Sequence, residues 1–153
     1  MLNYIEVALS PNEVPDEVSL CIYISGCQNR CKNCHYPELQ RCDYGDPLRE
    51  NYEEILEAYR SMATCVCFLG EGLNGEEEHR EFLSMIGFAR RLGLRTCLYS
   101  GRDVEPEGWM SDFDYLKLGS YKERLGDLSA KTTNQRMLRK TEDGYEDITY
   151  MFW

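Results

Sequence analysis

Apolar residues along this chain switch repeatedly between short runs and helical spacing. Residues 2–9 alternate, with Tyr4, Glu6 and Ala8 set against Ile5, Val7 and Leu9, which is the period of a strand. Residues 19–25 form a continuous apolar, partly β-branched run and read as a buried strand. Residues 50–62 place Tyr52, Ile55, Leu56 and Tyr59 on one helical face. Residues 63–69 are a second buried strand, ending at Gly70. A helix is predicted over about 76–92. Glu76, Glu77 and Glu78 in its first turn and Arg90 and Arg91 in its last complement the helix dipole. Asn74 is placed to cap it and Gly93 to stop it. Residues 94–99 and 113–118 are further strands, and residues 147–153 are a final strand candidate.

Strand, helix, strand, helix, strand is the pattern of parallel α/β folds. Right-handed crossovers bring the C-terminal ends of the parallel strands to one edge, where such folds put their sites. With 153 residues the chain is too short for a full eightfold barrel of about 250 residues. The expected fold is therefore α/β, a partial (β/α) barrel or curved, mostly parallel sheet. No repeat or linker divides it, so residues 1–153 are expected to form a single domain.

The net charge of −10 argues against nucleic acid as a partner. No run of eighteen apolar residues exists, and the first ten residues lack a basic region. Neither a membrane span nor a signal peptide is expected, which points to the cytoplasm. One stretch runs against the acidic balance: Lys122, Arg124, Lys131, Arg136, Arg139 and Lys140. It is either a solvated face or a contact for an anion or partner. Eight cysteines without a secretory signal suggest reduced thiols and metal rather than disulfides.

Three of those cysteines carry the strongest chemical signal. Cys27, Cys31 and Cys34 follow the residue 19–25 strand at C-x3-C-x2-C spacing. Three thiolates this close suit three corners of a 4Fe-4S cluster and leave one iron open to a ligand. A bacterial ferredoxin run would continue to a fourth cysteine within a few residues, but here Cys42 comes eight residues later. A zinc ribbon wants two C-x2-C knuckles. This chain has one, together with a Cys65-x-Cys67 pair inside a predicted strand, where both side chains share a face and read as packing residues.

The Cys27–Cys31–Cys34 loop after a strand resembles the radical S-adenosylmethionine superfamily. The resemblance implies a 4Fe-4S cluster whose open iron chelates the amino and carboxylate groups of S-adenosyl-L-methionine. One electron then splits the sulfonium into methionine and a 5′-deoxyadenosyl radical. The chain is also similar to the activating proteins of anaerobic ribonucleoside-triphosphate reductase. That narrower likeness rests on its short length, the segment Cys34-His35-Tyr36-Pro37-Glu38, and Thr133-Asn134-Gln135-Arg136 near the end. It implies a glycyl-radical reductase as partner and a low-potential electron donor such as flavodoxin or ferredoxin. The family's Gly-Gly-Glu/Asp-Pro turn is matched at Gly70 and Glu71 but not at Leu69 and Gly72. Its segment before the first strand is replaced by Val14-Pro15-Asp16-Glu17-Val18, which marks a divergent branch.

On this resemblance Asn33, Cys34, His35 and Tyr36 border the adenine, and Gly70 and Glu71 hold the methionine amine. Ser100 and Lys117, at strand ends on the same edge, are candidates for the carboxylate or ribose. Lys117 stands out because a lysine within an apolar strand needs a partner. His79, early in a helix, is expected to face solvent. Two other readings are open. One is a radical enzyme acting on a different glycyl partner or a small molecule. The other is a non-enzymatic iron–sulfur electron-transfer module.

Overall fold

The structure, a computed structural model, describes residues 1–26 and 45–153. The strands are β1 (Asn3–Ser10), β2 (Ser19–Ile24), β3 (Asp46–Pro47), β4 (Cys65–Leu69), β5 (Arg95–Tyr99), β6 (Tyr115–Leu118), β7 (Arg136–Lys140) and β8 (Tyr145–Asp147). The helices are α1 (Leu48–Tyr59) and α2 (Glu76–Arg91). Among the described residues the strands form one sheet in the order β3-β1-β2-β4-β5-β6-β7-β8. The centre, β2-β4-β5-β6, is parallel throughout. Antiparallel strands extend it on both sides, β1 and β3 on one and β7 and β8 on the other. A mixed α/β sheet with a parallel centre is the expected class; the flanking antiparallel strands make it less parallel than the sequence pattern implies.

The pleat divides the central strands between two cores. Leu20, Ile22 and Ile24 of β2, Val66 and Phe68 of β4, Leu98 of β5 and Leu116 and Leu118 of β6 face the helices. They meet Leu48, Tyr52 and Leu56 of α1 and Phe82, Met85, Ile86 and Ala89 of α2. The alternate residues, Cys21, Cys65, Cys67, Cys97 and Tyr115, line the opposite face. Val14, Leu128, Met137 and Ile148 close that face, with Met151 and Phe152 packed against it.

The N-terminal ends of the parallel strands are tied by Glu17, whose side chain is buried. Its carboxylate accepts hydrogen bonds from Thr64 Oγ1 at 2.6 Å, Arg95 Nε at 2.5 Å and Tyr115 Oη at 2.7 Å. These donors stand just before or at the start of β4, β5 and β6. Burial alone would raise the Glu17 pKa, but the bonds from Arg95, Thr64 and Tyr115 outweigh it and hold the carboxyl below its ordinary value. The contribution is therefore complete above the ordinary carboxylate value and is lost as pH falls from there through the lower folded value.

Three sequence expectations are corrected. Residues 147–153 are not a strand. Asp147 Oδ1 accepts from both the Thr149 backbone N–H at 2.9 Å and Thr149 Oγ1 at 2.6 Å, ending β8 and turning the chain into a 3-10 helix, Thr149–Phe152. Asn74 does not cap α2. The cap position is Gly75, whose N–H donates to Glu78 Oε1 at 2.9 Å, while Asn74 itself has a φ of 57°. His79 does not simply face solvent. Its ring stacks on Trp109 at 3.9 Å between centroids, and its Nε2 meets Asn74 Oδ1 at 2.7 Å.

Candidate functional site

Because β2, β4, β5 and β6 are parallel, their C-terminal ends share one edge. β2 leads through Ser25 and Gly26 into Cys27. Next to it, β4 ends in the turn Gly70-Glu71-Gly72. This turn lies directly against the end of β2. A Cβ on Gly70 would sit 3.3 Å from the Ile24 carbonyl oxygen, and one on Gly72 would sit 3.6 Å from the Ser25 carbonyl oxygen and 3.2 Å from Leu2 Cδ2. Both glycines have positive φ, 122° and 62°, so the turn needs residues without a Cβ for its conformation as well as its closeness.

Cys27, Cys31 and Cys34, together with Asn33, His35 and Tyr36, lie outside the described residues. Gly70, Glu71, Ser100 and Lys117 do fall on the one edge. Ser100 and Lys117 are joined through the Ser100 N–H, which donates to the Lys117 carbonyl at 2.7 Å. Lys117 is buried; its ammonium donates to the Gly119 carbonyl at 3.0 Å and stands 5.5 Å from the centre of the Tyr99 ring. Those contacts satisfy the partner requirement that a lysine in an apolar strand raises.

Glu71 is buried at 7% exposure and ion-paired. Arg102, in the loop after β5, donates from Nε to Glu71 Oε2 at 2.8 Å and from Nη2 to Glu71 Oε1 at 2.9 Å. The same guanidinium reaches Glu107, from Nη2 to Oε1 at 2.6 Å and from Nη1 to Oε2 at 3.1 Å. Trp109 Nε1 adds a bond to Glu107 Oε1 at 2.9 Å. The Arg102 backbone N–H donates to Ser100 Oγ at 3.2 Å, which links Glu71 to the Ser100–Lys117 pair. Bonds from Arg102 and then Trp109 hold the Glu107 carboxyl down at about 2, and the two carboxylates raise Arg102. Arg102 and Glu107 are therefore charged near neutral pH. The sequence pattern points to neither Arg102 nor Glu107. Both sit among loop polar residues with no periodicity, and only the fold brings Arg102 to Glu71 across 31 positions.

The cysteines divide into two sets. Cys21, Cys65, Cys67 and Cys97 are free thiols buried in the sheet. Cys21, Cys67 and Cys97 form a row across three neighbouring strands, in register. Burial pushes the Cys65, Cys67 and Cys97 thiols above their ordinary value, and Cys21 is raised by its bond with Cys67 and by burial. Thiols held protonated are poor metal ligands. Among the described residues no group of three or more histidines, cysteines, aspartates or glutamates is arranged to hold a metal ion. The remaining four cysteines, Cys27, Cys31, Cys34 and Cys42, all fall between residues 27 and 44. Four cysteines within eighteen residues fit the chemistry of an iron–sulfur cluster. Three of the six basic residues near the end pair with acids: Lys122 with Asp103 at 3.7 Å, Arg136 with Asp147 at 3.9 Å and Arg139 with Glu146 at 2.7 Å.

Comparison with known protein families gives a match over residues 17–107, more than half of the chain, to a family described as a 4Fe-4S single cluster domain. The matched stretch begins two residues before β2 and takes in Cys27, Cys31, Cys34, Glu71 and Arg102. No curated protein matches the chain. Among the described residues no helix is long and apolar enough to cross a membrane.

Proposed function

The chain belongs to the 4Fe-4S single cluster domain family, and from that premise we propose that it is a radical S-adenosylmethionine activase for a glycyl-radical reductase of the anaerobic ribonucleotide type. The observation that carries the reading is the packing of Gly70-Glu71-Gly72 against Ile24 and Ser25, at the root of the cysteine loop. That contact brings a buried carboxylate beside the strand from which a three-thiolate cluster would hang.

Cys27, Cys31 and Cys34 would hold the cluster, which when bound supplies one electron to cleave the sulfonium of S-adenosyl-L-methionine. The chain's own residues bind and orient that ligand. Asn33, Cys34, His35 and Tyr36 border the adenine. The Gly70 backbone packs against Ile24 and seats the turn there, and the Glu71 carboxylate accepts a charge-assisted hydrogen bond from the methionine amino group. A carboxylate has about four lone-pair directions. Arg102 occupies two on Glu71, so acceptor capacity remains. Ser100 and Lys117 meet the carboxylate or ribose from the neighbouring strand ends. A partner reductase would cover the site and present a backbone glycine, and flavodoxin or ferredoxin would deliver the electron.

Reduced, anaerobically reconstituted protein is expected to convert S-adenosyl-L-methionine to 5′-deoxyadenosine and methionine, measured by chromatography of the quenched reaction. The Cys27→Ala, Cys31→Ala and Cys34→Ala variants should yield neither product. A fully loaded, reduced protein that binds the ligand and never cleaves it would replace this reading with an electron-transfer module.

A further inference from the structure

β6 and β7 are antiparallel, with Leu118 opposite Arg136, so the loop between them, residues 119–135, stands on the same edge as Glu71 and Ser100. Connections longer than about 12–15 residues are uncommon in compact domains unless they carry function. This one is held by its own hydrogen bonds. Its ends meet where Asn134 Nδ2 donates to the Ser120 carbonyl at 3.1 Å, and Ser120 Oγ ties them to Asp103 at 2.9 Å. Across its middle, Thr132 Oγ1 donates to the Leu125 carbonyl at 2.7 Å and Thr133 Oγ1 to the Gly126 carbonyl at 3.1 Å. Leu128 is buried and anchors the loop against the face lined by the sheet cysteines. A compact loop with joined ends is an Ω-loop, a recurrent carrier of binding function.

The surface it displays differs from the rest of the chain. The net charge is −10, yet residues 119–136 hold four basic residues, Lys122, Arg124, Lys131 and Arg136, against two acidic ones, Glu123 and Asp127. Lys122 and Arg136 pair with Asp103 and Asp147. Arg124 and Lys131 are exposed, and no acid among the described residues pairs with either. Beside them Trp153 donates from Nε1 to the Leu128 carbonyl at 3.1 Å and is still 47% exposed, and Tyr150 is 61% exposed. No other aromatic residue among the described ones is exposed. Arginine, tryptophan and tyrosine are the residues that protein interfaces concentrate and that carry most of their binding energy.

We propose that residues 119–136, with Tyr150 and Trp153, are the docking surface for the partner reductase. The partner face that fits sets carboxylates opposite Arg124 and Lys131, around an apolar depression for the Trp153 ring. Unpaired cations on an otherwise acidic chain attract an acidic face. A second copy docked through the same patch would instead set these cations against each other. The place on the sheet edge suits a partner that must cover the candidate site. The inference rests on the reading above that the partner is a glycyl-radical reductase.

The test measures binding of the cluster-loaded protein to a purified anaerobic ribonucleoside-triphosphate reductase, without oxygen, at low and at physiological salt. Iron content and thermal unfolding are followed in parallel. Arg124→Glu combined with Lys131→Glu should weaken binding at least tenfold at low salt, chiefly by slowing association, and should flatten the salt dependence of the unaltered protein. Trp153→Ala should weaken it at least tenfold, chiefly by speeding dissociation. Trp153→Phe loses the bond to Leu128 but keeps an apolar ring, and should retain most of the affinity. Iron content should be the same in all of them.

Normal affinity in the charge-reversed and alanine variants would overturn the surface and leave the partner reading standing. Equal losses in Trp153→Phe and Trp153→Ala, with a lower melting temperature, would make the ring a structural brace and overturn it too. Self-association of the unaltered protein that charge reversal removes would give the surface to a second copy. Normal reductase binding with slower cluster reduction by flavodoxin would give it to the electron donor. Either result overturns the proposal. If the unaltered protein binds no reductase, the partner reading itself fails and the surface with it.

Discussion

Alanine at Cys27, Cys31 or Cys34 is expected to abolish iron and sulfide binding, whereas alanine at Cys21, Cys65, Cys67 or Cys97 is expected to preserve it. The reason is the protonation state and place of each thiol. A cluster ligand must be a thiolate. Burial holds Cys65, Cys67 and Cys97 protonated, and the bond with Cys67 together with burial does the same for Cys21, on a face closed by Val14, Leu128, Met137 and Ile148. The C-x3-C-x2-C run closely follows β2 along the chain. Anaerobic reconstitution should give about four irons and four sulfides per unaltered chain and none in the three loop variants. Cys42→Ala should also keep its irons. Loss of iron in Cys67→Ala equal to that in Cys31→Ala would show that the ligand set has been assigned to the wrong cysteines.

Phe68→Ala is expected to lower folding stability by about 3–5 kcal/mol, a large part of the roughly 5–15 kcal/mol that holds a domain together. Phe68 is fully buried in β4, at the centre of the helix-facing core. Its ring lies 6.0 Å from Tyr52 of α1, 5.3 Å from Phe82 of α2 and 6.1 Å from Phe113, all between centroids. Alanine removes contacts to both helices at once, and three large rings cannot all move in to fill the space. Phe68→Leu keeps most of the volume and should cost about 1.5 kcal/mol or less. Chemical denaturation of the two variants beside the unaltered protein measures both values. A loss below about 1 kcal/mol for the alanine variant would mean the core collapses around the gap. Phe68 is two residues from Gly70, so the same variant should also loosen the turn that places Glu71.

Much of this was readable before the fold was known, because it depends on local pattern. The run from Leu20 to Ile24 appears as β2, and the acidic start and basic end of α2 match its observed limits. The Cys65-x-Cys67 pair packs on one face, as strand period two requires. The misses arise where a single side chain overrides pattern or where contacts cross the chain. Asp147 captures Thr149 and ends a strand that the apolar residues after it would have extended. Gly75 takes the cap position because Asn74 spends its side chain on His79. The row of Cys21, Cys67 and Cys97 depends on strand register. The Glu71–Arg102–Glu107 unit depends on two loops meeting at the sheet edge, and no spacing in the sequence encodes that meeting.

At the centre of this reading is a cluster with three thiolate ligands whose remaining iron takes S-adenosyl-L-methionine. Mössbauer spectra of protein reconstituted with isotopically enriched iron, recorded with and without S-adenosyl-L-methionine, test it most directly. The expected result is that one iron of the cluster changes its isomer shift on adding the ligand, toward a higher coordination number, while the other three stay as they were. Spectra in which all the irons remain equivalent and unaltered, with the ligand bound at saturation, would contradict it.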